Sequence, residues 1–258
     1  MTPALPDDDA GPSTPAQPAT ATGRVPPDAI RLRQLPRLPA PLLDGFRELG
    51  DLTGAVSDAM DKLGLAGAVP ASELRPNLPA RRLVGQALTV RNVERQEGVA
   101  RSVAANTSKM GELEAYALAE PGDVVVIQGL LRASNMGGQS ARLAHRAGCA
   151  GAIIDGAHRD PDVARDIGLP LWVRGVTPIT GKWRLETAEI NGPVQIAGVQ
   201  VRAGDLVVAD EAGVVFVPRE RAADVLAEAQ RIDRGDRLQQ HDIAAGMDIG
   251  AMTGKTYK

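Results

Sequence analysis

Two short apolar runs, Val124–Ile127 and Ala152–Ile154, bracket a segment that opens on Gly137-Gly138 and carries Ala141, Leu143, Ala144 and Ala147 at helical spacing. Three or four consecutive apolar residues bounded by turns fit a strand covered on both faces. The segment between them has the period of an amphipathic helix and stops at Gly148. Strand, helix and strand in that order make a βαβ unit, which is parallel and right-handed in nearly every fold. The class expected for this chain is therefore α/β.

The flanking sequence extends this frame. Prolines 36, 39 and 41 lead into a short helix near Leu42–Leu49. A second helix is expected over Thr53–Leu63, with Thr53 as its cap, Val56, Ala59, Met60 and Leu63 as its apolar stripe, and Gly64 as its stop. Gln86–Val93 alternates as a strand, Met110–Ala119 reads as a helix, and Pro121-Gly122-Asp123 reads as a turn. Beyond Pro170 the short runs Leu171–Val173, Val194–Ile196, Val199–Val201, Leu206–Ala209 and Val214–Val217 form a β-rich layer. A last helix starts near Arg219 with Ala222, Val225, Leu226, Ala229 and Ile232 on one face. Residues 1–38 are rich in Pro and Ala and are expected to be a disordered tail. Residues 39–245 form the folded domain, and 246–258 are expected to be loose. Pro121-Gly122-Asp123 and Ala203-Gly204-Asp205 echo each other; we read both as turns in which Gly takes positive φ and Asp caps.

Composition removes several function classes. A net charge of −3 with no basic stripe speaks against nucleic acid. No run approaches the roughly 18 apolar residues of a membrane span. Cys149 is alone, so no internal disulfide forms, and the N-terminus has no apolar leader. A cytoplasmic location is the expectation. Aromatic residues are 2% of the chain, which leaves little surface for stacking bases or sugars. Motifs for zinc proteases, CxxC sites, serine hydrolase elbows and dinucleotide loops are absent. Gly254-Lys255-Thr256 is no phosphate loop, because Ile249 stands where its first glycine belongs.

The chemistry concentrates in one place. The strand at Ala152–Ile154 runs into Asp155-Gly156-Ala157-His158-Arg159-Asp160 and so delivers a guanidinium and a carboxylate to its C-terminal end. Open α/β sheets bind ligands at that end. The helix opened by Gly137-Gly138 offers backbone N–H groups to an anion at the same end. Taken alone, Arg159-Asp160 also reads as a surface ion pair or a helix cap, and Gly137-Gly138 as a tight turn.

Together with Val56–Met60, Gly198–Val201 and Gly204–Asp210, these motifs resemble the RraA-like family. That family includes class II pyruvate aldolases acting on 4-hydroxy-4-methyl-2-oxoglutarate or 4-carboxy-4-hydroxy-2-oxoadipate, and a protein regulator of ribonuclease activity. The resemblance implies an α/β/β/α sandwich of the swivelling type, assembled as a homotrimer or a dimer of trimers. It implies a small 2-oxo acid as substrate and retro-aldol cleavage or oxaloacetate decarboxylation through a pyruvate enolate. By the same resemblance Asp160 holds Mg²⁺ (or Mn²⁺), Arg159 binds the pyruvyl oxygens, and Gly137, Gly138, Gln139 and Ser140 hold the carboxylate. A further carboxylate, from the last helix of a neighbouring subunit, falls on Asp236, with Asp233 as fallback. Lys109 and Arg132 are candidates for a second substrate carboxylate, and His158 and Ser57-Asp58 are read as structural.

This chain departs from the aldolase pattern at one point. The acidic residue that the pattern sets before Arg-Asp, with twenty residues between, is replaced by Gly138. Ser134 and Asn135 could orient a water there, but neither is a base at neutral pH. Retro-aldol cleavage needs a base for the 4-hydroxyl proton and decarboxylation does not, so the loss should hurt aldol cleavage more. Two alternatives stand beside the lyase: a non-catalytic regulator of a ribonuclease or other partner, and a same-scaffold enzyme with a different small acid.

Overall fold

The computed structural model describes residues 23–257. In chain order the helices are α1 (Ala40–Arg47), α2 (Leu52–Lys62), α3 (Val99–Ala104), α4 (Glu112–Leu118), α5 (Gly138–Arg146), α6 (Pro161–Asp166), α7 (Ala222–Ala244) and α8 (Ile249–Thr253). The strands are β1 (Ala68–Pro70), β2 (Arg75–Pro76), β3 (Leu83–Glu94), β4 (Val124–Gln128), β5 (Gly151–His158), β6 (Leu171–Val176), β7 (Leu185–Ile190), β8 (Val194–Ile196), β9 (Val199–Val201), β10 (Leu206–Asp210) and β11 (Gly213–Val217).

One long strand organises the molecule. The first residues of β3, Leu83–Gln86, pair antiparallel with β10; Ala87–Arg91 pair in parallel with β4. The sheet order is β1-β11-β10-β3-β4-β5-β6-β2, with β7 added on β3 beyond a bulge at Arg91/Asn92. The β4–α5–β5 unit is parallel, as expected, and β6 continues it.

Side-chain alternation shows how this sheet curls into layers. Val125, Ile127, Ala152, Ile154, Leu171 and Val173 face a core shared with Ala115, Ala141, Ala144 and Ala164 of α4, α5 and α6. Leu206, Val208, Val215 and Val217 face a second core shared with α1, α2 and α7. The opposite sides of both halves, with Val124, Val126, Ile153, Trp172, Val207, Ala209, Val214 and Phe216, meet in a third core between them. The result is the α/β/β/α sandwich. Every residue of the expected α7 stripe is buried.

The structure corrects several boundaries. Residues 23–38 are packed, where a disordered tail was expected: Val25, Ile30 and Leu35 are buried in the first core, and Ile30 bridges to Ile190. Proline content masked three well-spaced apolar anchors. The part of that tail at 1–22 lies outside the described residues, as does Lys258. Residues 246–257, expected to be loose, form α8 and return to α7, where Lys255 Nζ and Tyr257 Oη both donate to Asp242 Oδ2 at 2.7 Å. Asp51, not Thr53, caps α2 by accepting from the Gly54 N–H; Thr53 instead donates its hydroxyl to Asp210. Both Pro-Gly-Asp-type turns behave as expected: Gly122 and Gly204 take φ of +94° and +89°, and Asp123 and Asp205 accept N–H groups three residues back.

Candidate active site

At the C-terminal ends of β4 and β5 the loop after β4 passes under the head of α5. Asn135 holds this loop. Its amide donates to the carbonyls of Leu130 and Ala157, and its Oδ1 accepts from the Leu130 N–H. Asn135 is fully buried with these bonds made, so the expectation that it could orient a water is not met. Ser134 is nearer the cavity but spends its hydroxyl hydrogen on the Met136 carbonyl at 2.7 Å.

Above the loop lies a cavity of about 290 Å³. Gly137, Gly138, Gln139, Ser140 and Arg159, all singled out from sequence, line it together. Helix geometry leaves the first N–H groups of α5 without intrahelical partners. The Gly138 N–H is taken by Asp160 Oδ2 at 2.9 Å, and the next two residues, Gln139 and Ser140, line the cavity. The Ser140 hydroxyl is fixed by a 2.7 Å hydrogen bond to Tyr116, whose burial pushes its phenol pKa far up and keeps it neutral.

Asp160 stands directly behind the glycine pair. Its backbone is left-handed, at φ 62° and ψ 58°, and it begins α6 without capping it. Arg159 Nε reaches the same Oδ2 at 3.4 Å, and the two side chains are 38% and 39% exposed. Both side-chain hydrogen bonds of Asp160 among the described residues thus fall on Oδ2. The pair is neither fully solvated nor a cap on its own helix.

A divalent ion has a narrow but suitable place here. No group of three or more His, Cys, Asp or Glu that could hold a metal exists among the described residues. Mg²⁺ retains most of its waters and commonly rests on one or two carboxylates, so the half-exposed Asp160, with Oδ1 outside its hydrogen bonds, suits a hydrated ion.

The other expected residues are dispersed. His158 is buried at 2% exposure and its pKa is lowered, first by burial, which fits a structural role for its ring. Lys109 pairs with Glu186 at 3.6 Å, and Arg132 is exposed; neither lines the cavity. Asp236 and Asp233 sit on α7, in the opposite helical layer, and within one chain do not reach the cavity. Asp233 is committed to the Gly50 N–H and to Arg237.

Three charged residues of the cavity escaped the sequence reading: Arg24, Glu112 and Lys182. Arg24 lay in the segment taken for a tail. Glu112 opens α4, where an acid reads simply as a complement to the helix dipole. Lys182 sits in the loop between β6 and β7, and β7 itself was not foreseen.

Sequence comparison decides the family. The RraA-like family, described as Aldolase/RraA, matches residues 53–216. The chain belongs to this family. A protein of Halalkalibacterium halodurans named "Putative 4-hydroxy-4-methyl-2-oxoglutarate aldolase" is 30% identical over 194 residues, 74% of this chain and 84% of its own. Among solved structures, an uncharacterized protein from Pseudomonas syringae pv. tomato matches with a TM-score of 0.71 and 27% identity, over 84% of this chain and 98% of its own. Streptomyces coelicolor RraAS2, described as an unusual member of the RNase ES inhibitor RraA protein family, matches with a TM-score of 0.64 and 25% identity, over 81% and 98%. The sandwich seen here is the RraA-like fold, and the Aldolase/RraA match runs from α2 into β11, including Gly137–Ser140 and Arg159-Asp160. No helix among the described residues is long and apolar enough to cross a membrane.

Proposed function

We propose that this chain is a divalent-metal-dependent lyase that cleaves a C–C bond in a 2-oxo acid bearing a further carboxylate and releases pyruvate. The observation that carries this reading is the cavity in which Arg159 and the N-terminus of α5 converge, with Asp160 tied to the Gly138 N–H beside them. The aldolase name of the Halalkalibacterium relative supports it.

The geometry supports a role for each residue. The Gln139 and Ser140 N–H groups and the α5 dipole receive the substrate carboxylate. Arg159 places a fixed guanidinium, always charged, against the oxygens of the 2-oxo unit, where negative charge grows as the bond breaks. Asp160 would hold Mg²⁺ or Mn²⁺, which when bound supplies Lewis-acid polarisation of the keto oxygen. Lys182 and Arg24, which also line the cavity, suit the second carboxylate. Asp236 would serve the site of a neighbouring copy in a homotrimer or dimer of trimers, in the cytoplasm.

A coupled assay for pyruvate release from oxaloacetate and from 4-hydroxy-4-methyl-2-oxoglutarate tests this, with Mg²⁺ or Mn²⁺ and then with chelator. Release that stops with chelator is expected. Turnover indifferent to chelator removes the metal from the proposal, and no turnover of either acid removes the lyase.

A second reading, a non-catalytic regulator of a partner enzyme, draws on Gly138 and on the inhibitor family named for the Streptomyces structure. Stable capture of a ribonuclease by a chain inert toward both acids would favour it.

A further inference from the structure

Among the described residues Glu112 is the one carboxylic acid that lines the cavity. It opens α4, and its Oε2 is shielded from solvent without a hydrogen-bond partner among the described residues. Buried carboxyl oxygens are nearly always satisfied, because an unmade bond there is costly. A group left in that condition on a cavity wall is one that finds its partner in a ligand.

The position is held partly from outside the family match. The Gly111 N–H is bonded to Thr187 Oγ1 at 2.7 Å, and a side chain on Gly111 would run into Val25, which is 1% exposed. Arg24, the residue before, lines the same cavity and exerts its charge on Glu112. Residues 24 and 25 precede the family match at 53–216, so this clamp belongs to the chain's own N-terminal segment.

We propose that Glu112 is the acid–base group of this site, carrying the proton between the substrate and water. This rests on the lyase reading above. When the C–C bond breaks, its electron pair stays on the three-carbon fragment as an enolate. The Glu112 carboxyl gives its proton to the enolate carbon, forming the methyl C–H bond of pyruvate, and the carboxylate that remains takes a proton from water. With an aldol substrate the carboxylate first takes the 4-hydroxyl proton and then returns it to the enolate carbon, so no external proton is consumed. Burial raises the carboxyl pKa against its own backbone N–H and the Arg24 charge, and so shifts the carboxyl toward the proton-bearing form that can donate.

The test uses the full chain with Mg²⁺ and pyruvate in D₂O. NMR follows exchange of the methyl protons, which requires enolate formation and reprotonation, and calorimetry follows pyruvate binding. The parent should exchange. Glu112→Gln should exchange about 100-fold more slowly or worse, with pyruvate affinity within about threefold. Exchange in Glu112→Gln close to the parent rate overturns the role of Glu112 and leaves the lyase standing. A parent that neither exchanges pyruvate nor cleaves a 2-oxo acid overturns both. Should Glu112→Gln lose pyruvate binding, Glu112→Asp decides: exchange well above the glutamine variant supports the carboxyl, and exchange equally low overturns it.

Discussion

Asp160 begins α6, yet its carboxylate closes the head of α5, accepting the Gly138 N–H at 2.9 Å. One side chain therefore joins the loop after β5 to the helix after β4, and these two segments hold Arg159 and the free α5 amides at one cavity. It does so from a left-handed backbone that L-residues other than Asn and Asp rarely adopt.

Replacing Asp160 separates its structural work from its chemistry. Asn tolerates the left-handed backbone and keeps an oxygen for the Gly138 N–H. Asp160→Asn should therefore change stability by less than about 1 kcal/mol. Ala loses both advantages, and Asp160→Ala should cost about 2–3 kcal/mol. Both variants should lose most Mg²⁺-dependent pyruvate release. Urea denaturation beside the coupled assay checks this; an Asn variant as unstable as the Ala variant contradicts it.

Gly138 leaves little room for the acid seen in the aldolase pattern. A Cβ there would lie 3.0 Å from Val163 Cγ2 and 3.2 Å from Asp160 Cβ, closer than neighbours tolerate without shifting. Gly138→Ala should cost about 1–3 kcal/mol, recovered in part by Val163→Ala in the same chain. In that relieved background, with Glu112→Gln removing the base proposed above, Gly138→Asp should restore aldol cleavage more than oxaloacetate decarboxylation. Kinetics on both substrates decide; unchanged or lower aldolase activity would show that position 138 is not where a base is missed.

Much of this site was legible because it is local. Gly137–Ser140 and Arg159-Asp160 each follow a strand at a turn, and a βαβ unit brings strand ends together by topology alone. What was hidden is non-local or disguised. Val25, Ile30 and Leu35 are spaced without helical or strand period among prolines, so nothing in their pattern announces burial. Strand β7, LETAEI, alternates across a charged surface and pairs with β3 only through tertiary structure. Glu112 looked like an ordinary first-turn acid until the packing of Val25 on Gly111 showed what encloses it.

Glu112 also predicts how stability varies with pH. Its folded carboxyl pKa is raised, chiefly by burial, with its own backbone N–H and then Arg24 opposing, and with Tyr116 and Ser140 nearby and neutral. The folded state then holds a proton that the unfolded chain releases. Its contribution is complete below the unfolded carboxylate pKa of about 4.3 and is lost as pH rises through the folded value. Glu112→Gln removes this loss. The variant should match the parent at about pH 4–5 and exceed it in Tm at pH 8, even as it fails in proton exchange. Equal melting curves at both pH values would show that the carboxyl is solvated in the folded protein.

The N-terminal clamp makes a prediction that separates fold from site. Val25 is buried against Gly111 and Thr187, so Val25→Ala should cost about 1–2 kcal/mol by lost apolar burial. Gly111→Ala should be worse than its small size suggests, because the added methyl occupies the place of Val25 and must expel it. If the clamp positions Arg24 and Glu112, Gly111→Ala should also weaken pyruvate release at temperatures where the protein is fully folded. Arg24→Ala should leave Tm nearly unchanged, since an exposed charge contributes at most about 1 kcal/mol, but should raise KM for oxaloacetate more than the dissociation constant for pyruvate. Melting curves and KM values measured on the three variants test the two effects independently. Equal changes toward oxaloacetate and pyruvate in Arg24→Ala would remove Arg24 from recognition of the second carboxylate.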